Sequence, residues 1–204
     1  EVIAEDGRVA AGSHVLLAVG LQPALAGLGL EAAGLGESAE AVAVDAFQRT
    51  AVAHIFAAGD ATGRLMLSSV AAAEGTVVGR LVAGSAAAPV AHSEAAQAVY
   101  TEPEIAWVGL QEEAAGAGRR VRVGRAQFST NPRALMGARP RGFAKLLSDP
   151  ADDTILGGVV VGRQAAELIG IVALAVRAKL SRQLLAETLL AYPSLGETLA
   201  AAAR

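Results

Sequence analysis

The chain has 204 residues, of which 53% are hydrophobic and 18% charged, with a formal net charge of -3 and no cysteine. Such a length and apolar content permit one large domain or two modest ones, each with its own core, while the missing thiols exclude disulfides, thiolate metal sites and a cysteine nucleophile within these residues. Basic residues are scattered and the balance is acidic, so no nucleic-acid footprint is expected, and the low charge predicts an apolar patch that meets a partner.

Glu1 is not an initiating methionine, and neither a basic segment nor an apolar signal core follows it, so the sequence reads as cut from a longer one. Residues 1–9 carry Glu5-Asp6-Gly7 between short apolar pieces, which predicts a hairpin. HVLLAVG at 14–20 is a near-continuous apolar run of the length of a strand buried on both faces. Residues 21–36, rich in Gly, Leu and Pro, read as a connection. Strands are expected at 41–45 and 54–58, and small and apolar residues at helical spacing predict a tightly packed helix over 67–83.

An Ala, Ser and Pro linker at 84–92 marks the expected domain boundary. Beyond it, strands are predicted at 98–101, 105–109, 121–128, 142–148 and 155–161, with a helix at 111–116. Their short connections favour an antiparallel sheet. Helices are expected at 165–178, 182–190 and 195–203, which makes the second domain α+β. The longest late apolar run, 168–176, falls far short of the roughly 20 residues that span a bilayer, so membrane insertion is not expected.

The sharpest local signal is HIFAAGDATG at 54–63. A strand there delivers Gly59 and then Asp60 to its C-terminal end, where open α/β sheets place ligands. Gly59 lets the backbone approach closely, and Asp60 accepts hydrogen bonds from sugar-like hydroxyls. The helix starting near Met66 directs free N–H groups to the same region and favours negative charge there. Taken alone, a Gly-Asp pair reads more readily as a turn cap than as a ligand site. His14, His54 and His92 are too dispersed to suggest a metal site. Trp107 reads as core or interface, and among Arg119, Arg120, Arg122 and Arg125 at least Arg120 and Arg122 share a solvated strand face.

The 54–63 stretch resembles the second FAD motif of the pyridine nucleotide-disulfide oxidoreductases, the family of dihydrolipoamide dehydrogenase, glutathione reductase and mercuric reductase. The resemblance implies that Asp60, beside Gly59, holds the ribityl chain of FAD and that Met66, Leu67, Ser68 and Ser69 contact the isoalloxazine ring through their backbone. HVLLAVGLQP resembles the strand leaving the NAD(P) domain, which sets Gly20 beside the nicotinamide nucleotide; Leu21 stands where many members have Arg. VYTEPEIAWVG, Asn131-Pro132-Arg133-Ala134, GFAKLL, ILGGVVVG and AAELI then follow in the family's order. The implied organisation is an α/β FAD/NAD(P)-binding remnant, with residues 1–20 closing the NAD(P) domain and 21–90 the C-terminal part of the FAD-binding and central domain. An α+β dimerisation domain with an antiparallel sheet follows at 91–204. A cytoplasmic homodimer is expected.

Many disulfide reductases of this family end on a His-Pro motif with a Glu five residues after the His, a pair that acts as base across the dimer. Here the segment is Tyr192-Pro193-Ser194-Leu195-Gly196-Glu197. Glu197 is retained and the histidine is replaced. A phenol ordinarily titrates near about 10 and an imidazole near about 6.5, so Tyr192 is a poor base for dithiols. It can still donate a hydrogen bond to a carbonyl oxygen that gains electrons. Together with NPRALM and RGFAKLL, the AYPSL segment resembles flavoproteins of this family that act as NAD(P)H:quinone reductases. The resemblance implies an enzyme using FAD, with NAD(P)H as cosubstrate and a small-molecule electron acceptor, and gives Tyr192 and Glu197 catalytic roles. Three alternatives stay open: a dihydrolipoamide dehydrogenase with a redox disulfide upstream, an inactive dimerisation module if the chain stands alone, and a Tyr192 that only fills an interface.

Overall fold

Short strands with apolar or alternating patterns pair into one five-stranded sheet in the second half of the chain, whereas a small hairpin, turns and one long helix hold the first half. The computed structural model describes residues 1–36, 40–115 and 120–204 and divides into two units, Glu1–Pro89 and Val90–Arg204.

In the first unit, β1 (Val2–Ile3) pairs antiparallel with β2 (Val9–Ala10). The expected hairpin is therefore present, closed by Ala4 N–H donating to the Arg8 carbonyl at 2.9 Å. The strand expected at 14–20 does not form: Leu16 is 89% and Val19 93% exposed. A strand exists only through its ladder, and no described segment of this unit pairs with those residues. Residues 41–45 also form no strand; Val42 N–H donates to the Ala61 carbonyl at 2.8 Å, and Asp45 begins a tight turn. Residues 54–58 form one arm of a narrow antiparallel pairing, with Arg49 bridged to Phe56 and Thr50 N–H donating to the Ile55 carbonyl, in place of the expected strand. Helix α1 (Ser68–Val82) matches expectation, and its buried Val70, Glu74 and Val77 lie at helical spacing on one face.

The second unit is a five-stranded antiparallel sheet made of β3 (Gln97–Val99), β4 (Ile105–Gly109), β5 (Arg122–Gln127), β6 (Phe143–Ser148) and β7 (Ile155–Val161). Its order is β3-β4-β7-β6-β5. β4 and β7 have the predicted bounds. The central strand β7 reads ILGGVVV because both its faces are largely covered. Helix α2 (Glu112–Ala115) follows β4, and residue 116 of the predicted helix lies outside the described residues. Helix α3 (Pro132–Met136) starts with proline at its first position, where the missing N–H costs nothing.

Helices α4 (Ala165–Arg177), α5 (Arg182–Glu187) and α6 (Glu197–Ala202) complete the unit. α4 packs on β4 and β7, and α6 packs on β5 and β6. The core joins Val108, Leu146, Val160, Val172 and Leu199, all buried. Burial of each such side chain stabilises by roughly 1.5–3 kcal/mol. A Cβ on Gly124 would overlap the Ala202 carbonyl, so glycine lets α6 lie directly on β5.

On the other sheet face, Trp107 is half-buried opposite Val159, which also faces Lys145. Lys145 pairs with Glu112 at 2.6 Å, and the Arg125 guanidinium stacks 4.0 Å from the centre of the Phe143 ring. Arg120 and Arg122 are exposed as expected, whereas Arg119 lies outside the described residues.

Candidate functional site

The segment carrying Gly59 and Asp60 is a single 3-10 turn, Gly59–Thr62, closed by Gly63 in the left-handed conformation. Every carbonyl from Gly59 to Ala61 is engaged. The Thr62 hydroxyl donates to Gly59 O at 2.8 Å, Gly63 N–H to Asp60 O at 3.0 Å, and Val42 N–H to Ala61 O at 2.8 Å. Gly59 N–H donates to Oε2 of Glu74 at 2.6 Å, and Glu74 is only 1% exposed. Gly59 has φ +72, and a Cβ there would come within 3.0 Å of the Ala71 Cβ on α1. Glycine is required by both the backbone angle and the close helix.

This fixed turn leaves Asp60 exposed, with no described hydrogen bond or ion pair occupying its carboxyl. The start of α1 lacks a side-chain cap, since Leu67 stands at the N-cap, so the first N–H groups at Ser68 and Ser69 have no acceptor within the helix. Met66 and Leu67 are half-buried and Ser68 and Ser69 exposed. A free carboxyl, a glycine-lined turn and an uncapped helix start on one framework fit a polyhydroxylated, anionic group such as FAD. Gly20, the other expected nucleotide contact, is exposed at φ +133 with nothing within 4 Å of a built Cβ. The structure therefore brings Gly59, Asp60 and the start of α1 together and leaves Gly20 exposed.

In the second unit, Tyr192 is 76% exposed, and no described hydrogen bond uses its hydroxyl. Glu197 opens α6, and its Oε2 accepts from Ser194 N–H at 3.0 Å, a backward reach of the capping-box kind. Asn131, only 4% exposed, holds the same loop from the other side. Its Nδ2 donates to Ser194 O and to the Thr198 hydroxyl, each at 2.9 Å, while its Oδ1 caps α3 by accepting from Arg133 and Ala134 N–H. Gln127, Asn131, Thr188, Glu197, Thr198 and Arg204 line a cleft of about 340 Å³; Tyr192 is not among its lining residues.

Reasoning from sequence missed two of these residues. Glu74 lies inside an apolar helical pattern, and only its charge on the buried face signalled a partner. Asn131 stood in a matching segment, and its position before proline is the signature of a helix cap. Among the described residues no group of three His, Cys, Asp or Glu could hold a metal ion, and no helix is long and apolar enough to cross a membrane.

Comparison with known proteins gives two family matches. Residues 95–203 match the pyridine nucleotide-disulphide oxidoreductase dimerisation domain, and residues 1–75 match the pyridine nucleotide-disulphide oxidoreductase domain. An NAD(P)H dehydrogenase (quinone) of Mycobacterium tuberculosis is 40% identical over 98% of this chain, which spans 41% of that relative. A dihydrolipoyl dehydrogenase of Chlorobaculum tepidum is 38% identical over 94% of the chain, again 41% of the relative. The crystal structure of LpdA from Mycobacterium tuberculosis superposes with a TM-score of 0.90 at 38% identity, covering 98% of this chain and 44% of that one. The HOCl-induced flavoprotein disulfide reductase RclA from Escherichia coli gives 0.80 at 28% identity, covering 89% and 42%.

Proposed function

The chain belongs to the pyridine nucleotide-disulfide oxidoreductase family, and from that premise we propose that it serves an FAD-dependent enzyme that carries hydride from NAD(P)H to the flavin and electrons on to a quinone-like acceptor. FAD and NAD(P)H are the standard redox groups of this family. The chain spans about two fifths of the curated relatives it matches, so the activity is a reading of the protein that carries these residues. That reading rests on one observation above all: the Gly59–Thr62 turn is pinned by its own backbone and by Glu74 while the Asp60 carboxyl stays free.

In this scheme residues 1–20 close the NAD(P) domain, 21–90 complete the FAD-binding region and 91–204 form the dimerisation domain of a cytoplasmic homodimer. The dimerisation-domain match supports the pairing; family resemblance supports the compartment. Asp60 would accept hydrogen bonds from the ribityl hydroxyls, and the hydrogen-bonded turn reduces the ordering cost of binding. The N–H groups of Ser68 and Ser69, at the positive end of α1, would hold the flavin's electron-rich ring through backbone contacts. FAD, when bound, supplies the hydride and electron transfer. Gly20 would contact the nicotinamide nucleotide, as the family resemblance implies. Glu197 holds the Ser194 backbone and so fixes the loop that bears Tyr192, whose hydroxyl donates to the acceptor's carbonyl oxygen as charge develops there.

A second reading, transfer to a dithiol or disulfide, is favoured by the likeness to dihydrolipoyl dehydrogenases; the replacement of histidine by Tyr192 weighs against it. As an isolated chain the residues would be an inactive dimerisation module. The flavin-loaded full-length protein and its Asp60→Ala variant test the proposal. Turnover of a benzoquinone with NADH or NADPH, together with loss of most bound FAD in the variant, is expected. A variant that retains FAD as tightly as the parent would remove Asp60 from the site.

A further inference from the structure

Ser194 lies two residues after Tyr192, and both polar atoms of its backbone are taken by buried or half-buried side chains. Its N–H donates to Glu197 Oε2 at 3.0 Å, and its carbonyl accepts from Asn131 Nδ2 at 2.9 Å. Asn131 also donates to the Thr198 hydroxyl, which is itself buried on the first turn of α6. One amide thus joins three elements: the start of α3, the loop before α6 and α6 itself.

The two ends of that amide do separate work. Oδ1 caps α3, a local stabilising role that aspartate performs equally well. Nδ2 is spent on the Ser194 carbonyl of the loop before α6, 63 residues along the chain, and on the Thr198 hydroxyl at the start of α6. A helix cap needs no such donor. The loop it holds is the one whose Tyr192 is exposed and without a described partner.

We propose that Asn131 is a positioning residue for the acceptor half of the reaction, acting through the Ser194 backbone to hold Tyr192 where its hydroxyl meets the electron acceptor. This inference rests on the acceptor role given to Tyr192 above. The nitrogen of Asn131 fixes the loop from the α3 side and Glu197 fixes it from the α6 side, so removal of either leaves one anchor. A loop released at one end misplaces a reacting group, and misplacement by about 1 Å costs on the order of a hundredfold in rate.

Asn131→Asp separates the two functions, because it keeps the capping oxygen and sets an acceptor against the Ser194 carbonyl. In the flavin-loaded full-length protein this variant is expected to keep its FAD content and to lower the thermal midpoint, because a buried acceptor now faces the Ser194 carbonyl, while kcat for a benzoquinone falls by about ten- to a hundredfold with little change in KM. Asn131→Ala, which also loses the cap, serves as the stability comparison and should lower the midpoint as well. A double-variant cycle with Tyr192→Phe gives the decisive reading. If Asn131 acts through Tyr192, the double variant is no slower than Tyr192→Phe alone. Multiplying defects would show that Asn131 works independently and would overturn the inference, as would an unchanged kcat in Asn131→Asp beside a slowed Tyr192→Phe. Full quinone turnover by Tyr192→Phe would instead overturn the acceptor role itself, and the inference with it.

Discussion

Asp45 shows how a single exposed carboxyl closes a turn beside the segment that precedes the Gly59–Thr62 turn. It accepts from Arg49 N–H at 2.9 Å and from Phe47 N–H at 2.8 Å, and these donors, Arg49 first, hold its carboxyl below the ordinary 3.8. Arg64, just past the flavin turn, donates to the carbonyls of Val44 and Asp45. A carboxyl with a depressed value in the folded state stabilises above its unfolded value, and that contribution disappears as pH falls through the folded value. The thermal midpoint of the first unit is therefore expected to drop on acidification below about 4, with part of that drop absent in Asp45→Asn, which keeps an acceptor but does not titrate. Melting curves across pH check this, and parallel profiles for the two proteins would contradict it. Asp45 was not legible as a turn residue, because VAVD reads as a strand by its alternation; a side-chain oxygen that takes two backbone N–H groups ends the strand there.

Among elements, those that found their ladders within the chain were the legible ones. β4 and β7 have the bounds that alternation and a β-branched run indicate, since each has two neighbours in the sheet. Residues 14–20 carry as strong a strand pattern and form none, because hydrophobicity sets which segments can be strands and pairing decides which are. The same limit hid the joint between α1 and the flavin turn. The Gly59-Asp60 pair stands out in the motif, but the acceptor for Gly59 N–H is a lone carboxyl 15 residues later within a helical pattern of small and apolar residues. Glu74→Leu leaves that buried N–H unsatisfied at a cost of about 1–3 kcal/mol, whereas Glu74→Gln keeps an oxygen in place. Denaturation midpoints and FAD dissociation constants should separate the two variants, with Leu lowering both stability and flavin retention and Gln lying close to the parent. Equal behaviour of Leu and the parent would show that the turn does not depend on this bond.

At the scale of the whole molecule, two units carry the two halves of one proposed reaction: a flavin turn in the first and an acceptor loop in the second. Their family assignment was readable from motifs in fixed order, and both family matches fall along that order. The acceptor was not, because a single tyrosine in place of histidine says only which chemistry is disfavoured. Electron counting decides it. An anaerobic titration of the full-length flavoprotein with NADH or NADPH should take up about two electrons per FAD and accompany turnover on a quinone, because the flavin is then the only redox centre. Uptake of about four electrons per FAD, with turnover on lipoamide, would reveal a redox-active disulfide beside the flavin and contradict the quinone-reducing account.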